Sequence, residues 1–171
     1  GCFLWTKDVE THFLLKDLGP EPLGNYFSGD YLFHNSRKRK VPIKNFIMNS
    51  KVVVGVGNIY ATEALFAAAI RPSSKAGKVP KKKYDLLAKE IVTILRRSIK
   101  DGGTTLRDFV SGNNTPGYFK QSLKVYGREG KECYECQTII KGQKITFQAT
   151  TGTQPVWDED GGTIAAVHYT Y

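Results

Sequence analysis

The stretch Lys51-Val52-Val53-Val54-Gly55-Val56-Gly57-Asn58 runs straight into Ile59-Tyr60-Ala61-Thr62-Glu63-Ala64-Leu65-Phe66-Ala67-Ala68-Ala69-Ile70. Three consecutive valines suggest a strand, whereas the paired glycines suggest a tight turn leading into a helix. The second half is rich in helix formers and Pro72 cannot continue it, so a helix is expected over 58–70. A helix N-terminus leaves backbone N–H groups without intrahelical partners and with partial positive charge. Glycines let another backbone approach closely, and Asn58 adds a side-chain donor. Gly57 and Asn58 are therefore a candidate anion site. Lys51 and Lys44 lie upstream on the same connector. A tight turn that merely packs two helices together would use the same glycines and bind nothing.

Outward from this stretch, Pro42 suits the first turn of a short helix over Pro42 to Met48, with Ile43, Phe46 and Ile47 on its apolar side. Residues 36–41 read as a basic connector. Leu23, Tyr26, Phe27, Tyr31 and Leu32 recur near the helical period and predict a helix over 22–35. His12 to Leu18 is a connector or short helix ended by Gly19-Pro20 and Pro22, and Phe3 to Thr6 looks like one short strand. On the other side, 73–80 reads as a loop. Lys81 to Lys100 carries Tyr84, Leu87, Ala88, Ile91, Val92, Leu95 and Ile99 at i, i+3, i+4, i+7 spacing, the clearest helix in the chain. Gly102-Gly103 closes it. Thr104 or Thr105 can cap a further helix with Asp108 in its first turn. Residues 111–117 form a flexible loop, Leu123 to Gly130 reads as strand and turn, and the remainder is β-prone and threonine-rich.

The chain has 171 residues, 25 Lys+Arg against 16 Asp+Glu, and a net charge of +9. That length suits one domain or two small ones, and 40% hydrophobic with 24% charged residues reads as globular. No apolar run approaches the roughly 18 residues of a membrane span. The start Gly1-Cys2-Phe3-Leu4-Trp5 resembles neither a signal peptide nor an initiation site and suggests a fragment. The odd cysteine count, Cys2, Cys133 and Cys136, argues for a reducing compartment. Charge is clustered. Residues 36–51 hold Arg37, Lys38, Arg39, Lys40, Lys44 and Lys51 with no acid, and 75–100 hold nine bases against two acids. Such clustering points to a polyanion partner, since neutralising phosphates releases condensed counterions.

Cys133-Tyr134-Glu135-Cys136 has the spacing that puts two thiolates on one metal, but tetrahedral zinc takes four ligands and no second pair follows. Tyr118, Phe119, Tyr126 and Arg128 surround a glycine-rich loop and could stack on bases or reach phosphates, or simply pack the strand. There is no Ser–His–Asp arrangement, and no carboxylate pair suggests acid–base catalysis.

Four strings in order resemble the C-terminal portion of the bacterial formamidopyrimidine-DNA glycosylase family, whose sister family is endonuclease VIII. They are Leu18-Gly19-Pro20-Glu21-Pro22-Leu23, Val53-Val54-Gly55-Val56-Gly57-Asn58-Ile59-Tyr60-Ala61, Gly102-Gly103-Thr104-Thr105-Leu106-Arg107-Asp108-Phe109 and Val125-Tyr126-Gly127-Arg128. The resemblance spans roughly residues 1–148. It implies a mainly α fold, a helix–two-turn–helix DNA-binding domain followed by a small β-hairpin resembling a degenerate zinc finger. The implied organisation is a remnant strand of an N-terminal domain at 1–8, the helical domain at 9–109, a lesion-recognition-like loop and strand at 110–130, the finger hairpin at 131–152 and an unmatched tail at 153–171.

By the same resemblance Asn58 and Lys51 hold phosphates beside a damaged nucleotide and Tyr126 makes another phosphate contact. Glu63 matches a helix glutamate near the catalytic pocket. Family enzymes use an N-terminal proline amine as nucleophile and an adjacent glutamate, and neither has a counterpart here, so no catalytic residue is assigned and the chain alone is expected to be inactive. Cys133 and Cys136 match the first zinc pair, whereas Ala149 and Gly152 stand at the second. Lys144 replaces the finger's phosphate-binding arginine and loses its bidentate fork. The expectation is therefore phosphate-driven binding, by a monomer in a bacterial cytoplasm, of double-stranded DNA carrying oxidised purines or abasic sites. No zinc is expected to be bound. The alternative is a non-catalytic helix–two-turn–helix module for another nucleic acid.

Overall fold

The computed structural model describes residues 5, 7–8, 11–13, 15–102 and 122–142, together with the backbone of two strands. The expected strand at Phe3–Thr6, apart from Trp5, together with the Thr104/Thr105 helix start, the 111–117 loop, Tyr118, Phe119 and Lys144, lies outside the described residues. Two compact units are formed: one from 19–145, the other from 1–18 and 146–171.

The larger unit is built from four helices: α1 (Gly29–Ser36), α2 (Ile43–Met48), α3 (Asn58–Ala67) and α4 (Lys81–Lys100). Its core is one cluster running from Phe27 to Ile91, in which Leu32, Ile43, Ile47, Leu65, Leu87 and Ile91 are fully buried. Tyr84 sits at its centre, its ring edge-on to Phe33 and Phe46, and its hydroxyl donates to the Ala76 carbonyl at 3.0 Å. This pairing lets a buried phenol remain satisfied. α3 and α4 are further joined by Tyr60 Oη and Ser98 Oγ, 2.7 Å apart.

α2 and α4 fall where the spacing predicts. α1 does not. The helix predicted over 22–35 begins only at Gly29, because Ser28 Oγ accepts from the Tyr31 N–H at 3.1 Å and fixes the start there. Residues 22–28 turn instead, with the Gly24 N–H on the Glu21 carbonyl. At Gly29 helix α1 presses onto α4 so closely that a Cβ would lie 2.4 Å from Asp85 Cα. α3 also stops short of residue 70. Ala69 takes φ +50, and Lys83 Nζ donates to the Ala68 and Ala69 carbonyls at 2.9 and 3.2 Å, placing a cation at the negative end of the helix. The expected loop at 73–80 contains a 3-10 turn, Ala76–Lys78.

The segment 123–130, expected as strand and turn, consists of bends and turns. Its amides are drawn onto a side chain of α3 rather than onto a neighbouring strand, as described below. In the smaller unit β1 (Thr150–Trp157) and β2 (Thr163–Thr170) pair antiparallel, Thr150 opposite Thr170 and Trp157 opposite Thr163. β1 therefore crosses the boundary expected between finger and tail at residue 152. Among the described residues no helix is long and apolar enough to cross a membrane.

Candidate nucleic-acid interface

The connection from α2 to α3 is a pair of successive turns, not a strand. The amides of Val52 and Val53 both donate to the Asn49 carbonyl, and the Lys51 N–H donates to Asn49 Oδ1 at 2.9 Å. Val52, Val53 and Val56 drive their side chains into the core. That burial, rather than strand pairing, accounts for the valine run. Gly55 then turns the chain at φ +76, a conformation costly for any residue with a Cβ. Gly57 is extended and caps α3 with no side-chain bond. The first bond of α3 runs from the Ala61 N–H to the Gly57 carbonyl at 2.9 Å. The amides of Asn58, Ile59 and Tyr60 thus have no acceptor within the helix. Gly57 and Asn58 are exposed, and a Cβ on Gly57 would meet nothing within 4 Å.

Asn58 lines one end of a cleft of about 1220 Å³ between α3 and the segment 125–142. Lys44, Arg71, Tyr126 and Lys141 also line it. The cleft brings together Asn58 and Tyr126, which are 68 positions apart in sequence, keeps Lys44 beside them as the sequence suggested, and adds Arg71 and Lys141, to which sequence reading assigned no role, together with the carboxylates of Glu129 and Glu135. Lys44 is half-buried, and desolvation holds its ammonium below the usual lysine range. An anion in the cleft would relieve that strain on its charge. Lys51 is exposed on the first of the two turns and does not line the cleft.

Glu63 does not open into this cleft. It is 5% exposed, and its carboxylate accepts three successive backbone N–H groups: Lys124 at 2.9 Å on Oε2, and Val125 at 2.9 Å and Tyr126 at 2.8 Å on Oε1. The following loop is held by Arg128, which donates to the Lys124 and Glu132 carbonyls at 2.5 and 2.6 Å and lies 3.4 Å over the Tyr134 ring. Arg37, counted among the basic connector residues, is likewise used internally: it stacks on Phe33 at 3.9 Å and donates to Ser36 Oγ and the Val79 carbonyl.

A model of the formamidopyrimidine-DNA glycosylase H2TH domain matches residues 18–110. The chain belongs to the formamidopyrimidine-DNA glycosylase family. It is 53% identical over 151 residues to the formamidopyrimidine-DNA glycosylase of Cellvibrio japonicus, covering 88% of this chain and 56% of that protein. Against that of Xanthomonas campestris it is 52% identical over 150 residues, 88% and 55% of the two chains. The chain thus spans about half the length of these relatives. Among solved structures, MutM (Fpg) from Thermus thermophilus superposes with a TM-score of 0.72 at 29% identity, over 93% of this chain and 55% of that one. Lactococcus lactis Fpg in complex with abasic-site DNA superposes at 0.68 and 28%, over 90% and 51%.

In a chain of this family the Cys133–Cys136 pair raises the question of zinc. Cys133 and Cys136 sit in a tight turn: the Gln137 N–H donates to the Cys133 carbonyl, the Cys133 N–H to the Thr138 carbonyl, and the Glu135 N–H to Cys133 Sγ at 3.5 Å. Glu132 and Ile139 bridge antiparallel across it. Hydrogen bonds from Thr138 and Cys133 lower the exposed Cys136 thiol below its ordinary value. Among the described residues no three of His, Cys, Asp and Glu stand together as a metal site. Cys133 and Cys136 supply two of the four ligands that a tetrahedral zinc takes.

Proposed function

We propose that this chain is the DNA-holding half of a formamidopyrimidine (8-oxoguanine) DNA glycosylase/AP lyase and acts in base-excision repair by gripping the sugar-phosphate backbone of double-stranded DNA that carries oxidised purines or abasic sites. The observation that carries this reading is the juxtaposition of Asn58 at the start of α3 with Lys44, Arg71, Lys141 and Tyr126 around one cleft, in which these three cations outnumber the carboxylates of Glu129 and Glu135. Amides at a helix start and converging cations favour phosphate oxygens over any neutral ligand. Lys51, on the turn beside Gly57 and Asn58, adds a long-range attraction, and Lys144 a further phosphate contact. The Lactococcus lactis relative of known structure holds abasic-site DNA, which supports the same class of ligand. The 130–140 turn is read as a degenerate finger that works without zinc, and the chain as a monomer of the bacterial cytoplasm.

Binding of an abasic-site duplex, followed by fluorescence anisotropy across salt concentrations, tests the grip. Asn58→Ala and Lys51→Ala should each weaken binding, and loss of Lys51 should flatten the slope of log K against log salt by about one unit. Unchanged affinity and slope in both variants, or a preference for structured RNA over the duplex, would refute the assignment. Base excision itself needs a positioned amine of lowered basicity, and no residue here matches the family's proline nucleophile. Borohydride treatment with oxidised-guanine DNA should accordingly trap no covalent adduct; an adduct would show that the chain carries a nucleophile of its own.

A further inference from the structure

We propose that Glu63 is a positioning residue: its carboxylate, not a metal, fixes the Tyr126 segment against α3 and so sets the spacing of the two walls of the cleft. The inference rests on the phosphate-binding reading for its functional consequence, and on the hydrogen bonds alone for its structural one. Glu63 lies five residues beyond Asn58 on the same helix, and its three acceptor bonds fall on the consecutive amides of Lys124, Val125 and Tyr126. A carboxylate 5% exposed is costly to bury unless its lone pairs are filled, and three charge-assisted N–H bonds fill them. Three successive amides pointing to one acceptor also cannot be satisfied by a strand partner, which explains why 124–126 turn rather than extend.

Arg128, Lys124 and Glu129 make their side-chain contacts within the segment itself. Arg128 bonds within the segment, to the Lys124 and Glu132 carbonyls. The Lys124–Glu135 ion pair is 2.8 Å long, but both side chains are at least half exposed, and such pairs contribute little. Glu129 accepts the Gly142 N–H at 3.1 Å, again within the loop and exposed. The link from α3 to 124–126 through the Glu63 carboxylate is direct and buried, and it needs no metal to form.

The test is a double-substitution cycle on the full chain with two readouts, amide hydrogen exchange and affinity for an abasic-site duplex. Glu63→Ala should leave the cooperative unfolding of α1–α4 in place and speed exchange at 124–126 by about tenfold or more, the scale of a charge-assisted hydrogen bond. It should also weaken DNA binding. Tyr126→Phe should weaken binding in the native background and add nothing in the Glu63→Ala background, because the hydroxyl is no longer held in place. Glu63→Gln serves if the alanine variant does not fold: it keeps one oxygen for Val125 and Tyr126 but turns an NH2 toward Lys124, so faster exchange should concentrate at Lys124. Unchanged exchange at 124–126, or additive losses in the cycle, overturns the proposal. If Tyr126→Phe alone leaves affinity untouched while exchange responds as expected, it is the phosphate role of Tyr126 that fails and the positioning that stands.

Discussion

Gly57 offers the sharpest separation between folding and binding. Its backbone, at φ −83 and ψ −177, suits any L residue, and the space beside it is open. Gly57→Ala should therefore leave the thermal midpoint within about a degree of the native chain, since backbone and contacts are unaltered. The added methyl should still crowd a phosphate approaching the α3 amides and weaken duplex binding by about tenfold, the worth of one good hydrogen bond to a charged group. Anisotropy and differential scanning calorimetry on the same samples check both halves, and a loss of stability equal to the loss of binding would refute the separation. At this scale the site was partly legible. Gly57, Asn58 and Tyr126 stand in recognisable strings and reach the same region. Lys44 was grouped with Gly57 and Asn58 by its place on the connector, whereas Arg71 and Lys141 could not be, because only the packing of α3 and the 125–142 segment brings them in. The bonds Glu63 makes could not be read at all, because its partners are backbone amides, which carry no signature in side-chain identity. Arg37 misled in the other direction: a charge in a basic run, it is an internal clamp over Phe33.

Among the elements, α4 declared itself because its apolar stripe is long and uninterrupted. α1 did not, because the stripe of Leu23, Tyr26 and Phe27 continues upstream of a cap that periodicity cannot see. Of those three residues only Phe27 is buried, and Tyr26 is 86% exposed. The boundary belongs to Ser28, and the residue after it sets the distance between α1 and α4. Gly29→Ala should destabilise the larger unit by about 1–3 kcal/mol, since its Cβ would meet the backbone of Asp85 and one helix must shift. Urea unfolding followed by circular dichroism measures this, and a neutral result would mean the helices separate without cost. α3 ended earlier than its alanine content promised because its last carbonyls are taken by Lys83, a residue 15 positions from Ala68. Long-range capping of that kind is invisible to local propensity. The valine run shows the same competition from the other side: β-branched residues were recruited as core plugs between two turns.

For the molecule as a whole, the charge of +9 is divided between folding and an open face. Ion pairs such as Lys81–Asp30 at 2.9 Å, exposed on both sides, leave most of it available to a polyanion. The proposal that the Cys133–Cys136 turn works without zinc has a whole-molecule consequence as well. Elemental analysis should find far less than one zinc per chain, and excess chelator should leave the unfolding transition where it is, because metal binding energy contributes to stability only where a full ligand set exists. One zinc per chain, with a midpoint that falls on chelation, would overturn the degenerate-finger reading. The overall family was legible because four strings recur in order. The pairing of Thr150–Trp157 with Thr163–Thr170 was not, since that tail matches none of them. Finally, the main buried cluster draws every member from between Phe27 and Ile91, wholly inside the larger unit. Glu63 nevertheless ties α3 to the amides of 124–126. In engineering terms a cassette cut just beyond Gly102 would carry the greasy interior of the helices with it but strand a buried charge, so the graft should extend past Tyr126 or replace Glu63.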